Sequence, residues 1–119
     1  EYIKKSKFLY VVESEKAVQQ LATMGIRNVV STGGKTISKH QIEEITRTGC
    51  TPILALDQDV NKDELQEIAS MFMDGISIYA IIDEDNILNE KESPSDNPEK
   101  WNILVKNHIY QINKEGKIS

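Results

Sequence analysis

The feature that most restricts the fold is a unit of strand, helix and stopping glycine, met three times in succession. Gly25, Gly49 and Gly75 lie 24 and 26 positions apart, about the length of one compact βα unit. In the first unit, 8–12 is a short apolar and β-branched strand. After it, Ala17, Val18, Leu21 and Ala22 share one helical face. The second has a strand over 28–30, the turn Ser31-Thr32-Gly33-Gly34, and a helix opened by Ser38 with Gln41 three residues on, a capping-box pair. The third has a strand over 53–56, an acidic turn carrying Asp57 and Asp59, and a helix with Asn61 and Glu64 as a cap-like pair. Leu65, Ile68, Ala69 and Phe72 form its buried stripe. Each glycine stands where a helix must stop, because the left-handed C′ position suits glycine above all. A fourth strand over 76–82 follows. Strands alternating with helices predict an α/β fold with a mainly parallel sheet of about four strands, flanked by helices through right-handed crossovers.

The C-terminal quarter leaves that rhythm. Residues 83–97 are polar, include Ser93-Pro94-Ser95-Asp96, and read as a long functional or flexible loop. A short helix is expected after it, with Asn97 as cap, Pro98 in the first helical position and Trp101 and Leu104 facing inward. Residues 108–112 offer a last edge strand, and 114–119 a frayed end. The 119 residues predict one domain, with a core over about 7–106. The chain opens Glu1-Tyr2-Ile3 without methionine, which suggests a piece of a longer polypeptide.

Composition excludes some functions. No apolar run approaches the ~20 residues of a membrane span, and no secretory leader is visible; a cytoplasmic location without membrane contact is the expectation. Cys50 is the single cysteine, so an internal disulfide and a thiolate zinc cluster are excluded, and it reads as a small buried filler. The balance of 14 Lys+Arg against 19 Asp+Glu, net −5, argues against this piece alone gripping a nucleic-acid backbone. Its basic cluster, Lys4, Lys5 and Lys7, precedes the first strand, at the end of the sheet away from the carboxyl ends of the strands.

Those carboxyl ends are where open α/β sheets bind ligands. Glu13 follows the first strand, Thr32 to Lys35 the second, Asp57 and Asp59 the third, and Asp83 and Asp85 the fourth. Spacing alone is weak: acidic pairs at i, i+2 occur four times, at Glu13/Glu15, Asp57/Asp59, Asp83/Asp85 and Glu90/Glu92, against roughly three by chance. Position distinguishes Asp57/Asp59 and Glu13. Carboxylates converging without cysteine or clustered histidine suit a hard cation, Mg²⁺ or Mn²⁺. Each group also has a structural reading. Acids before helices favour the positive helix end, Gly33-Gly34 makes a tight turn, and Lys16 and Lys35 are solvated. Asp83/Asp85 makes a polar strand end, and His40 and His108 are structural.

Together these residues resemble a known family. Val11-Val12-Glu13-Ser14-Glu15-Lys16-Ala17 is similar to the first motif of the Toprim domain, shared by bacterial-type DNA primases, type IA and type II topoisomerases and several nucleases. Ser31-Thr32-Gly33-Gly34 resembles the turn after its second strand, and Leu54-Ala55-Leu56-Asp57-Gln58-Asp59 its D-x-D motif. Lys91-Glu92-Ser93-Pro94-Ser95-Asp96 is similar to the K-D-P-x-D segment of primases and phage primase-helicases, with Glu for the first Asp and one serine inserted. Ser14 replaces the usual glycine after the first-motif Glu, and Val60-Asn61-Lys62 replaces the common Ala-Gly. The resemblance implies a primase nucleotidyl-transfer domain, with Glu13 as general base or metal ligand and Asp57 and Asp59 holding Mg²⁺. It further implies phosphate or nucleic-acid contacts at Lys16, Gly33, Gly34 and Lys35, and a secondary acidic site at Asp83, Asp85, Glu92 and Asp96. DNA template and nucleoside triphosphates would be partners in the whole protein, with flanking zinc-binding or helicase domains. Rival readings are a Toprim nuclease or topoisomerase domain, a receiver-type signalling module, and a non-catalytic nucleic-acid scaffold. The receiver needs a lysine after a fifth parallel strand.

Overall fold

The computed structural model describes residues 8–33, 37–56, 62–72, 77–83, 85–89 and 92–112. In chain order these form β1 (Phe8–Val12), α1 (Glu15–Thr23), β2 (Val29–Ser31), α2 (Lys39–Thr48), β3 (Thr51–Leu54), α3 (Lys62–Ser70) and β4 (Ile78–Ile81). A 3-10 turn (Pro94–Asp96), α4 (Pro98–Asn107) and β5 (Ile109–Ile112) complete them. The strands make one sheet in the order β2-β1-β3-β4-β5. β1 to β4 are parallel, and β5 runs antiparallel to β4. The sheet is therefore mixed and five-stranded. The edge strand offered by 108–112 forms and adds to the four, and its direction removes the fifth parallel strand that a receiver module requires.

Side chains alternate across the strands, and the core divides accordingly. Leu9, Val11, Leu54, Ile78, Ala80 and Ile112 pack with Ile42 and Ile45 of α2 and Leu65, Ile68 and Ala69 of α3. Val12, Val29, Ile53, Ala55 and Ile81 pack with Ala17 and Leu21 of α1 and Trp101 and Leu104 of α4. Trp101 meets Tyr10 edge to face, ring centroids 5.1 Å apart, and burial pushes the Tyr10 phenol above its ordinary pKa. Cys50 is buried, as a small filler should be.

The helix signals act as the sequence predicts. Ser38 and Gln41 form a reciprocal capping box on α2. Gly49 caps the same helix at φ 73°, and Gly25 follows α1 at φ 85°. Asn97 accepts from the N–H groups of Glu99 and Lys100 at the start of α4. Asn61 and Gly75 lie outside the described residues. The third strand begins earlier than the expected 53–56, because β1 already pairs Phe8 with Thr51 and Leu9 with Pro52. Pro52 has no N–H for a ladder, and it is accommodated because β4 pairs with β3 only from Ile53. Ala55 still donates to the Val11 carbonyl at 2.8 Å, so buried extended contact continues beyond the strand end.

The described residues after β4 carry several side-chain hydrogen bonds. Asp83 accepts from the N–H groups of Ile87 and Leu88 at 2.8 and 2.9 Å. Glu92 accepts from Asn89 N–H and from Lys100 Nζ, the latter at 2.6 Å. Gln20 of α1 accepts from the Ser95 hydroxyl and donates to Asp96 Oδ1, at 2.8 and 2.9 Å. No helix among the described residues is long and apolar enough to cross a membrane.

Candidate functional site

The chain leaves β1 for β2 on one side and crosses to β3 on the other, so the sheet order reverses between β1 and β3. In open α/β sheets the carboxyl ends of the strands beside such a reversal are where ligands bind. Glu13 stands at that end, directly after β1. Its side chain is half-buried and its Oε1 fully so. The next residue, Ser14, is the N-cap of α1 and accepts from Ala17 N–H at 3.2 Å. Capping therefore belongs to Ser14 rather than to Glu13. Ser14 has φ −135°, extended backbone that any residue adopts, so the serine stands there without strain.

The turn after β2 is bound to the same point. Thr32 N–H donates to the Val12 carbonyl at 2.8 Å. The Ser31 hydroxyl donates to the Glu13 carbonyl at 3.4 Å and accepts Gly33 N–H at 3.1 Å. Gln41 Nε2 donates to the Thr32 carbonyl at 2.7 Å. Gly33 is exposed at φ 80°, and a Cβ there would meet no atom within 4 Å. Its glycine therefore answers a backbone requirement rather than a lack of space. On the far side, the chain leaves β3 through buried Ala55 and Leu56, the latter the residue before Asp57. Asp57, Asp59, Gly34 and Lys35 lie outside the described residues, as do Lys4, Lys5 and Lys7.

The other acids are engaged individually. Beyond the bonds of Asp83 and Glu92 given above, Asp96 Oδ2 accepts from Ser93 N–H at 2.9 Å. Asp85 Oδ2 lies 3.2 Å from Nε2 of the buried His108. Lys100, as hydrogen-bond donor and as a positive charge, and the Asn89 N–H hold the Glu92 carboxyl below its ordinary value. Among the described residues no three His, Cys, Asp or Glu side chains gather as a cation site. Lys16 is exposed on the first turn of α1. His40 is exposed on α2, 3.7 Å from Glu44. Gln41 had a sequence signal as a capping residue but none for its second bond. Gln20 had none, because its partners lie 75 and 76 residues away.

The Toprim domain family matches residues 8–85. No curated protein matches the chain. Among solved structures, the Aquifex aeolicus primase, comprising zinc-binding and RNA polymerase domains, superposes with TM-score 0.70 at 21% identity, over 90% of this chain and 27% of that one. The DnaG catalytic core gives 0.64 at 22% identity, over 87% and 35%. A DNA primase domain from Pseudomonas aeruginosa gives 0.67 at 21%, over 87% and 34%. The chain thus spans about a third of the length of these structures, and the likeness is one of fold. The match from β1 through Asp85 covers the first four strands and the turns after β1 and β2, and the chain belongs to the Toprim domain family.

Proposed function

We propose that this chain is the cation-holding, nucleotidyl-transfer unit of a DNA primase-type protein, acting in primer synthesis. The observation that supports it most is the switch point. Glu13, with one carboxylate oxygen buried, follows a strand hydrogen-bonded through Ala55 to the strand that leads toward Asp57. In this reading Asp57 and Asp59 hold Mg²⁺ or Mn²⁺, with Glu13 as third ligand or general base. An all-carboxylate donor set fits a hard cation. The bound ion would neutralise charge on a transferring phosphoryl group.

The chain's own residues supply the rest. The N-terminus of α1 opens one residue after Glu13 and turns its partial positive charge toward the carboxyl end of β1. The open turn at Gly33 and Gly34, with Lys16 and Lys35, would contact phosphate. Asp83, Glu92 and Asp96 we assign to shaping the loop after β4, since each accepts backbone N–H groups; Asp85, largely in water, is the freer member of that set. DNA and nucleoside triphosphates are the proposed substrates. With net charge −5, the template grip would come from neighbouring zinc-binding or helicase domains.

Primer synthesis measured with and without the flanking polypeptide tests this. The isolated chain should be inactive. In the longer protein Glu13→Gln and Asp57→Asn should abolish synthesis while circular dichroism stays native. Full activity from the isolated chain, or normal activity in both variants, would overturn the assignment.

A further inference from the structure

One side chain joins α2 to the turn that precedes it. Gln41 Oε1 accepts Ser38 N–H at 2.8 Å, which completes the capping box, while its Nε2 donates to the Thr32 carbonyl at 2.7 Å. Capping needs only the acceptor oxygen, and glutamate at this position serves it equally well. The donor has a different effect. Thr32 is bonded on its N–H side to Val12, and the adjacent Ser31 hydroxyl links Gly33 N–H to the Glu13 carbonyl. The exposed Gly33 has open space above it, so the bonds beneath are what orient it. Glutamine carries an acceptor and a donor on one planar group, and here each end is used.

We infer that Gln41 is a positioning residue: by donating to Thr32 it fixes the Ser31–Gly33 turn, and through Ser31 the backbone of Glu13, relative to the first turn of α2. The orientation of the turn is a property of the chain itself. Its bearing on cation and phosphate binding rests on the primase-type reading above. Gln41→Glu separates the two tasks, because it keeps the capping acceptor and loses the donor. Gln41→Ala loses both.

Amide hydrogen exchange on the 119-residue chain reads each task at its own N–H. In Gln41→Glu, Ser38 N–H should keep its protection, while Thr32 and Gly33 should exchange about fivefold faster, the effect of losing one hydrogen bond. In Gln41→Ala all three should exchange faster. Unchanged exchange at Thr32 and Gly33 in Gln41→Glu would overturn the positioning role. A Mn²⁺ titration of the same proteins adds a readout that helix capping does not move: the affinity of Gln41→Glu should fall severalfold, with the midpoint of α2 unfolding kept. Faster turn exchange with undiminished Mn²⁺ affinity would overturn the link from turn to site. If the unaltered chain bound no Mn²⁺, the primase-type reading would fail, and the exchange comparison would still decide the role of Gln41.

Discussion

Gln20→Ala should detach the segment after β4 from α1. Ser95 is 2% exposed, and its hydroxyl donates to Gln20 Oε1 at 2.8 Å. Removing that acceptor leaves a buried hydroxyl without its partner, a loss of ~1–3 kcal/mol. The second bond, from Gln20 Nε2 to Asp96, is exposed and adds only a few tenths of a kcal/mol. The expected destabilisation is about 2 kcal/mol, a fall in Tm of roughly 8 °C for a domain of this size. Ser95→Ala alone should cost less than about 1 kcal/mol, because the half-buried Gln20 amide can turn to water. The double variant should be scarcely worse than Gln20→Ala, giving a coupling energy of somewhat under about 1 kcal/mol in a double-mutant cycle. Urea unfolding followed by circular dichroism measures all four proteins. A Gln20→Ala chain within ~0.5 kcal/mol of the unaltered one, with additive effects, would refute the claim that this side chain holds the segment.

Two further outcomes follow from local geometry. Gly49→Ala should lower stability by about 1 kcal/mol, because φ is 73° and a Cβ meets nothing within 4 Å, so the cost is backbone alone; Gly49→Asn should lose less, and equal urea midpoints for all three proteins would contradict this. Glu92 has a folded pKa held down by Lys100, so its contribution is present above the ordinary carboxylate value and is lost as pH falls through the depressed one. Stability against pH for Glu92→Gln should lack that acid-side component, and superimposable curves would exclude it.

The parts of this domain that depend on neighbours in sequence were legible, and those that depend on distant partners were not. Ser38, Gln41, Gly49 and Asn97 act within a turn of where they stand, and hydrogen bonding near a helix end has few solutions. The buried stripe of α3 followed from period alone. Strand limits were less legible, because the register of β3 is set by β1, more than forty residues earlier. The direction of β5 was also hidden, since alternating apolar residues pair equally well either way. The place of Glu13 directly after β1 was readable, but that Ser14 would take the capping role was not. The hydrogen bonds made by Asp83, Glu92 and Gln20 could not be foreseen, because their partners leave no periodic trace.

The central claim is that Glu13, Asp57 and Asp59 together hold one divalent cation. Isothermal titration of Mn²⁺ into the 119-residue chain and into Glu13→Gln, Asp57→Asn and Asp59→Asn tests it most directly, with thermal unfolding of the same samples. The account predicts one binding event in the unaltered chain and a stabilisation of about 2.7 kcal/mol at a hundred times Kd, both lost or greatly weakened in each variant. Equal Mn²⁺ affinity and equal thermal shifts in all four proteins would contradict it.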